Sequence, residues 1–136
     1  MILADGGSRD ETPAIAEASG ARLVAAERGR GTQLAAGAAA ARGEWLLFLH
    51  ADTVLGTGWD DAVRAFIGAP ETARRAGYFR LRLDDERAAA RRIAWLANIR
   101  GRLLGLPYGD QGLLIGRAFY HELGGFRALP LMEDVD

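Results

Sequence analysis

The sequence predicts an α/β fold, a mostly parallel sheet flanked by helices, and three observations carry that prediction. Short apolar runs alternate with stretches of helical length from residue 2 to residue 49. Glycines punctuate the boundaries at Gly20, Gly29, Gly31 and Gly43. Two of the apolar runs, 2–4 and 45–49, lead directly into acidic turns. Strands that alternate with helices are the pattern of a parallel sheet covered on its faces.

Taken in order, residues 2–4 read as a strand and residues 5–8 as the turn at its carboxyl end. A helix over 11–19 follows, with Asp10 as N-cap, Pro13 in the first turn and Gly20 as the stop. Residues 21–25 are the second strand. Residues 32–42 are so rich in alanine that a helix is the natural reading, ended by Gly43. The continuous apolar run 45–49 suits the buried centre of a sheet. Further on, 58–67 reads as a helix and 78–83 as a strand with alternating Arg80 and Arg82. A long helix over 84–104 carries Ile93, Leu96, Ala97, Ile99, Leu103 and Leu104 on one side and arginines on the other. That helix is read as packing on its own domain rather than on a membrane, because the chain is not basic and the stripe is ordinary. Residues 106–112 form a loop, 113–115 a short strand and 117–123 a short helix.

Composition narrows the function. With 136 residues, 49% hydrophobic and 26% charged, the chain is expected to fold as one globular domain over 1–136. Its 17 basic and 18 acidic residues leave a net charge of −1, so nothing favours nucleic acid as a partner. The absence of cysteine excludes disulfides, thiol catalysis and cysteine-bound metal. No apolar run is long enough to span a bilayer and no signal-peptide pattern opens the chain, so it is read as cytoplasmic. Residues 1–4 and 132–136 both read as cuts, in mid-strand and in an acidic cluster. The expectation is therefore a partial domain, poorly soluble or associating through an open sheet edge, with weak binding and turnover.

Ligands of open parallel sheets bind outside the carboxyl ends of the strands. At the first such end, Asp5, Gly7 and Ser8 form a candidate contact loop; a plain strand-to-helix turn accounts for Gly7, Ser8 and Asp10, but not for Asp5. At the second, His50 and Asp52 follow the buried run 45–49. A carboxylate there calls for pairing or for a hard divalent cation; His50 is either a second ligand or a structural hydrogen-bonding group. Asp5 and Asp52 are expected at neighbouring strand ends of one sheet, opening on one cleft. Arg28, Arg30 and Gln33 lie between them at a helix start, where guanidinium groups and free backbone N–H groups hold phosphate. Solvated arginines would look the same. Gly109, Asp110, Gln111 and the pair Glu133 and Asp134 complete the candidates; neighbouring carboxylates supply a tuned general base, or are a solvated loop.

The order of these pieces resembles the family-2 glycosyltransferases: Asp5-Gly6-Gly7-Ser8-Arg9-Asp10-Glu11-Thr12, then Gly29-Arg30-Gly31-Thr32-Gln33-Leu34, then the run from Gly43 to Thr53, then Gly109-Asp110-Gln111-Gly112, Gly124-Gly125-Phe126-Arg127 and Met132-Glu133-Asp134-Val135-Asp136. It looks similar to the bacterial subgroup labelled arsenosugar-biosynthesis or selenium- and radical-SAM-associated. The resemblance implies a GT-A, Rossmann-like nucleotide-diphospho-sugar transferase fold, truncated here, with the family's first strand lying before Met1. It implies that Asp5 contacts the base of the nucleotide. Asp52 matches the last aspartate of the Asp-x-Asp motif, meeting ribose and a Mg²⁺ or Mn²⁺ ion on the diphosphate, and His50 stands in place of the first. Asp134 matches the general base of inverting members, and 109–112 with Glu133 line the acceptor side. Where the family has Ala-Arg-Asn, this chain has Gln33-Leu34-Ala35, so the arginine contact falls to Arg28 or Arg30. The implied reaction moves a sugar from a nucleoside-diphosphate donor, by default a UDP-sugar, to an acceptor hydroxyl, and peripheral membrane contact stays open. Two other readings remain beside it: a non-catalytic nucleotide-binding or scaffold domain, and a sugar-phosphate nucleotidyltransferase.

Overall fold

A computed structural model gives the fold, describing residues 1–105 and 108–127, with the backbone alone at Leu104. The chain packs as two compact units, one of 1–44 with 120–127 and one of 45–119.

In the first unit β1 (Ile2–Asp5) and β2 (Arg22–Ala25) pair in parallel, Ile2 opposite Arg22 and Asp5 opposite Ala25. The connection between them is α1 (Thr12–Ala18). The N-cap is Glu11, one residue after the expected Asp10, and Asp10 instead accepts the Thr12 N–H at 3.0 Å from just before the helix. Gly20 ends the helix at φ +69, where a side chain would be strained. The alanine-rich α2 (Arg30–Ala40) begins two residues earlier than expected, from Gly29 at φ +145. Its small residues let it lie close on the strands: a Cβ on Gly37 would sit 3.7 Å from that of Ala4. Two side chains fasten it, Gln33 donating to the Ala4 carbonyl at 3.0 Å and Arg22 to the Ala40 carbonyl at 3.2 Å. At the other end of this unit Gly124 and Gly125, at φ +94 and +69, turn the chain so that Phe126 packs on the buried Tyr120 and its N–H donates to the tyrosine hydroxyl.

The second unit is built on an antiparallel sheet of order β3-β5-β4, where β3 is Trp45–Phe48, β4 Ala76–Gly77 and β5 Leu113–Gly116. The sheet is thus parallel only between β1 and β2, a correction to the expectation of a mostly parallel one; the α/β class stands. The central strand β5 buries Leu114 and Ile115 on its two faces, Ile115 opposite the buried Leu46 of β3, as its apolar run requires. α3 (Trp59–Gly68) sets Phe66 edge-on to Trp45, centroids 5.9 Å apart, and Gly77 allows the same ring to approach β4. After β5 the chain forms α5 (Arg117–Glu122).

Two expectations fail in this unit. Residues 78–83 form no strand, because side-chain amides replace the ladder partner: Asn98 accepts the Leu81 N–H and donates to the Leu81 carbonyl, both at 2.9 Å. The long helix, α4 (Ala88–Leu104), starts four residues after its expected start, since Asp85 is engaged in a turn that accepts the Arg87 N–H. It packs on its own unit as expected, but through small residues. Ala90, Ala94, Ala97 and Gly101 are buried, and a Cβ on Gly101 would press to 3.0 Å from Tyr78. Ile93, Leu96 and Leu103 of the expected packing stripe are instead exposed.

Replacing Asn98 by Ala removes both amide hydrogen bonds and leaves a half-buried N–H and C=O at Leu81 unpaired. The expected cost is about 1–3 kcal/mol, read from the urea midpoint of Asn98→Ala against the parent chain. An unchanged midpoint would show that water replaces the amide.

Candidate functional site

Asp5 closes β1, and its carboxylate is met by its own loop. The N–H groups of Gly7 and Ser8 donate to Oδ2 at 3.1 and 3.0 Å, and the Ser8 hydroxyl donates to Oδ1. Gly7, at φ +89, lets the two amides converge. These donors hold the Asp5 carboxyl below the ordinary carboxylate range, the Ser8 hydroxyl first and the Ser8 N–H next. The neighbouring Asp10 is lowered in the same way by Thr12. The local turn therefore accounts for Asp5 as well as for Gly7 and Ser8.

The same loop meets the basic segment before α2. A Cβ on Gly6 would come within 3.3 Å of both the Arg28 and the Gln33 side chains, so a glycine there is what lets the three approach. Arg28 and Arg30 are exposed at the start of α2, whose N-cap Gly29 supplies no side-chain acceptor and whose first turn holds no acid. Asp5, Gly7, Ser8, Arg28, Arg30 and Gln33 thus lie along one loop cluster at the carboxyl end of β1, with a helix N-terminus and two cations suited to an anion.

In the second unit the turn after β3 carries His50 and Asp52, fixed by the Thr53 N–H donating to the His50 carbonyl at 3.1 Å. Asp52 is exposed and His50 half-buried. Burial therefore places no demand for a cation on Asp52, contrary to the expectation, because the chain turns outward before reaching it. β3 pairs with β5 so that Phe48 faces Leu113, which sets the 109–112 loop against the chain entering the turn. Gly112, at φ +66, lies so close that a Cβ would be 3.0 Å from Leu49 and 3.3 Å from the Phe48 carbonyl. Asp110 is exposed, whereas Gln111 is fully buried, its amide donating to the Phe79 carbonyl at 3.2 Å. Asp5 and Asp52 close strands of two separate sheets, rather than neighbouring strands of one as expected, because β1 pairs with β2 and β3 with β5.

The model of the family described as "Glycosyl transferase family 2" matches residues 1–122. The chain belongs to that family. No curated protein and no solved structure matches it. Family membership makes this glycosyltransferase domain a GT-A fold and directs attention to both strand-end turns. Glu133 and Asp134 lie outside the described residues. Among the described residues, no three of His, Asp and Glu gather to hold a metal ion.

A groove of about 1020 Å³ between segment 78–86 and α4 contains none of the expected site residues. What the sequence reading missed is Asn98, the positioning residue of that segment, which works with Gln111. Its signal was a lone amide beside Ala97 on the small-residue side of an alanine- and arginine-rich helix.

Since the Asp5 loop binds the ionised carboxylate, its contribution to stability is full above the ordinary carboxylate range and is lost as pH falls through the lowered folded value. Ser8→Ala is expected to move the Asp5 titration upward toward the ordinary value, measured by carboxyl carbon NMR. A titration that stays where it was would exclude the hydroxyl as the main cause.

Proposed function

We propose that this glycosyltransferase domain transfers a sugar from a nucleoside-diphosphate donor, a UDP-sugar, to an acceptor hydroxyl with inversion. The observation that carries the reading is the cluster at the carboxyl end of β1, where Gly6 brings the Asp5 loop against Arg28 and Gln33 beside the open N-terminus of α2. Asp5 faces the nucleotide base, with Gly7 and Ser8 holding it ionised and oriented. Arg28 and Arg30, aided by α2 N–H groups, meet the diphosphate by charge and by hydrogen bonding. Asp52, with His50, is the position for Mg²⁺ or Mn²⁺. When bound, that ion neutralises charge on the leaving diphosphate.

In the transfer itself, the acceptor oxygen forms a bond to the anomeric carbon as the bond from that carbon to the diphosphate oxygen breaks. The electron pair leaves with the nucleoside diphosphate, and Asp134 takes the acceptor proton. A single displacement inverts the centre. The exposed Asp110, together with Glu133, borders the acceptor, while the buried Gln111 shapes that loop from behind. His50 in place of the motif's first aspartate is the residue that supports the finer subgroup likeness. A cytoplasmic location suits a nucleotide-sugar donor.

A second reading, a nucleotide-binding domain without catalysis, draws on the fact that Asp5 is already satisfied by Gly7 and Ser8. Turnover separates the two. Asp52→Asn is expected to weaken UDP binding in the presence of Mg²⁺ or Mn²⁺, followed by calorimetry. Asp134→Asn should leave binding unchanged and lower sugar transfer or UDP-sugar hydrolysis by about 10²–10⁴-fold. Normal turnover in Asp134→Asn would overturn the base assignment, and UDP bound by a protein that never turns over would favour the second reading.

A further inference from the structure

α4 has two faces built on one spacing. Ala90, Ala94, Ala97 and Gly101 recur at i, i+4, i+7 and i+11 and are buried. Arg92, Leu96, Ile99 and Leu103 recur at the same intervals two residues later, which puts them on the opposite side of the helix. Here Leu96 and Leu103 point away from the unit, 58% and 73% exposed; Ile99 is half-buried, and Trp95, 62% exposed, stands at the rim of the groove between segment 78–86 and α4. The usual arrangement is thus inverted, with the small side chains inward and the large apolar ones outward. Burying that outward stripe against something else is favourable in proportion to its area.

The charge around the stripe selects the occupant. Ala88–Leu104 holds four arginines and no acidic residue, although the chain as a whole carries a net charge of −1. Arg92 lies within the stripe, and Arg91 and Arg102 border Trp95 by helical position. Asp84, Asp85 and Glu86 precede the helix and line the groove beside Arg91, Trp95 and Arg102, but Arg80 and Arg82 line it too and Asp85 is engaged by Arg87, so cations still outnumber free acids around Trp95. The fitting surface is therefore apolar beneath and negatively charged all round. A bilayer of anionic phospholipid offers that combination: aliphatic side chains enter the acyl boundary, Trp95 sits at headgroup depth, and the arginines extend to the phosphates. No helix among the described residues is long and apolar enough to cross a membrane, so the contact is one of surface docking.

We propose that the outward face of α4, centred on Trp95, Leu96 and Leu103, seats this domain on an anionic phospholipid surface. The proposal is independent of the sugar-transfer reading. In sedimentation with vesicles, the 136-residue chain is expected to bind mixed phosphatidylglycerol and phosphatidylcholine vesicles and not pure phosphatidylcholine, with binding that falls as salt rises. Its tryptophan emission should shift to the blue on binding, and Trp95→Phe should remove most of that shift.

Leu96→Gln/Leu103→Gln, checked for unchanged circular dichroism, should lower the bound fraction about tenfold. Arg91→Gln/Arg92→Gln/Arg102→Gln should do the same and serves as the second variant if the first misfolds. Equal binding to neutral vesicles, no binding to either, or undiminished binding by folded variants would overturn the proposal. So would a lipid-free, concentration-dependent dimer in sedimentation velocity that the leucine variant dissociates, since a second copy would then cover the face.

Discussion

Much of the second unit depends on two side-chain amides standing in for a missing strand. Asn98 binds both polar groups of Leu81, and Gln111 binds the Phe79 carbonyl while the Gln111 carbonyl accepts the Phe79 N–H. Buried backbone must be paired somewhere, and among the described residues segment 79–81 belongs to no strand ladder, its one backbone partner being the Gln111 carbonyl at Phe79. The amides therefore fix three things together. They join α4 to the segment beneath it, hold the 109–112 loop from behind, and through Gly112 set that loop against Leu49 at the mouth of the His50 turn. An apolar residue at 98 or 111 would leave the exposed Asp52 and Asp110 on loops without that support.

The first unit achieves order by a different route. Its acidic turn is self-contained: Asp5 has donors from Gly7 and Ser8, and Asp10 has Thr12. A carboxylate kept ionised by its own loop is ready for a ligand at no cost in rearrangement, which is how preorganised sites bind. Asp52 contrasts with it. Exposed and free of burial cost, Asp52 holds no geometry that a ligand would have to displace, so any cation there would be shared chiefly with the substrate's phosphates.

Much of the first unit was legible in the sequence because its signals are local. Gly20, Asp10 and Pro13 punctuate α1, and the apolar runs at 2–4 and 45–49 match β1 and β3 within a residue. The family resemblance was legible for a similar reason, since its motifs are short and ordered. What failed was non-local. Residues 78–83 have the alternation of a strand, but whether a strand forms is decided by a partner, and Asn98 is 17 positions from Leu81. The antiparallel pairing of β3, β4 and β5 is likewise set by connections, not composition. Neither the exposure of Asp52 nor the burial of Gln111 can be read from residue type, because both depend on where the chain turns relative to β3 and β5.

α4 shows why periodicity alone cannot assign an interior. Its apolar residues do recur with helical spacing, but so do its small residues, and a moment weighted by hydrophobicity points toward the larger set. Close approach obeys a different rule. Where Gly101 meets Tyr78 there is no space for a side chain, so the helix turns Ala90, Ala94, Ala97 and Gly101 inward and Leu96 and Leu103 outward. The same sorting separates charge, concentrating four arginines on a helix without an acid while the acids collect in turns such as those of Asp5, Asp10 and Asp85. With Arg100 turned onto Tyr108 and Arg91, Arg92 and Arg102 exposed, a chain whose total charge is nearly zero can present a locally basic surface, and net charge is a poor guide to what α4 can meet.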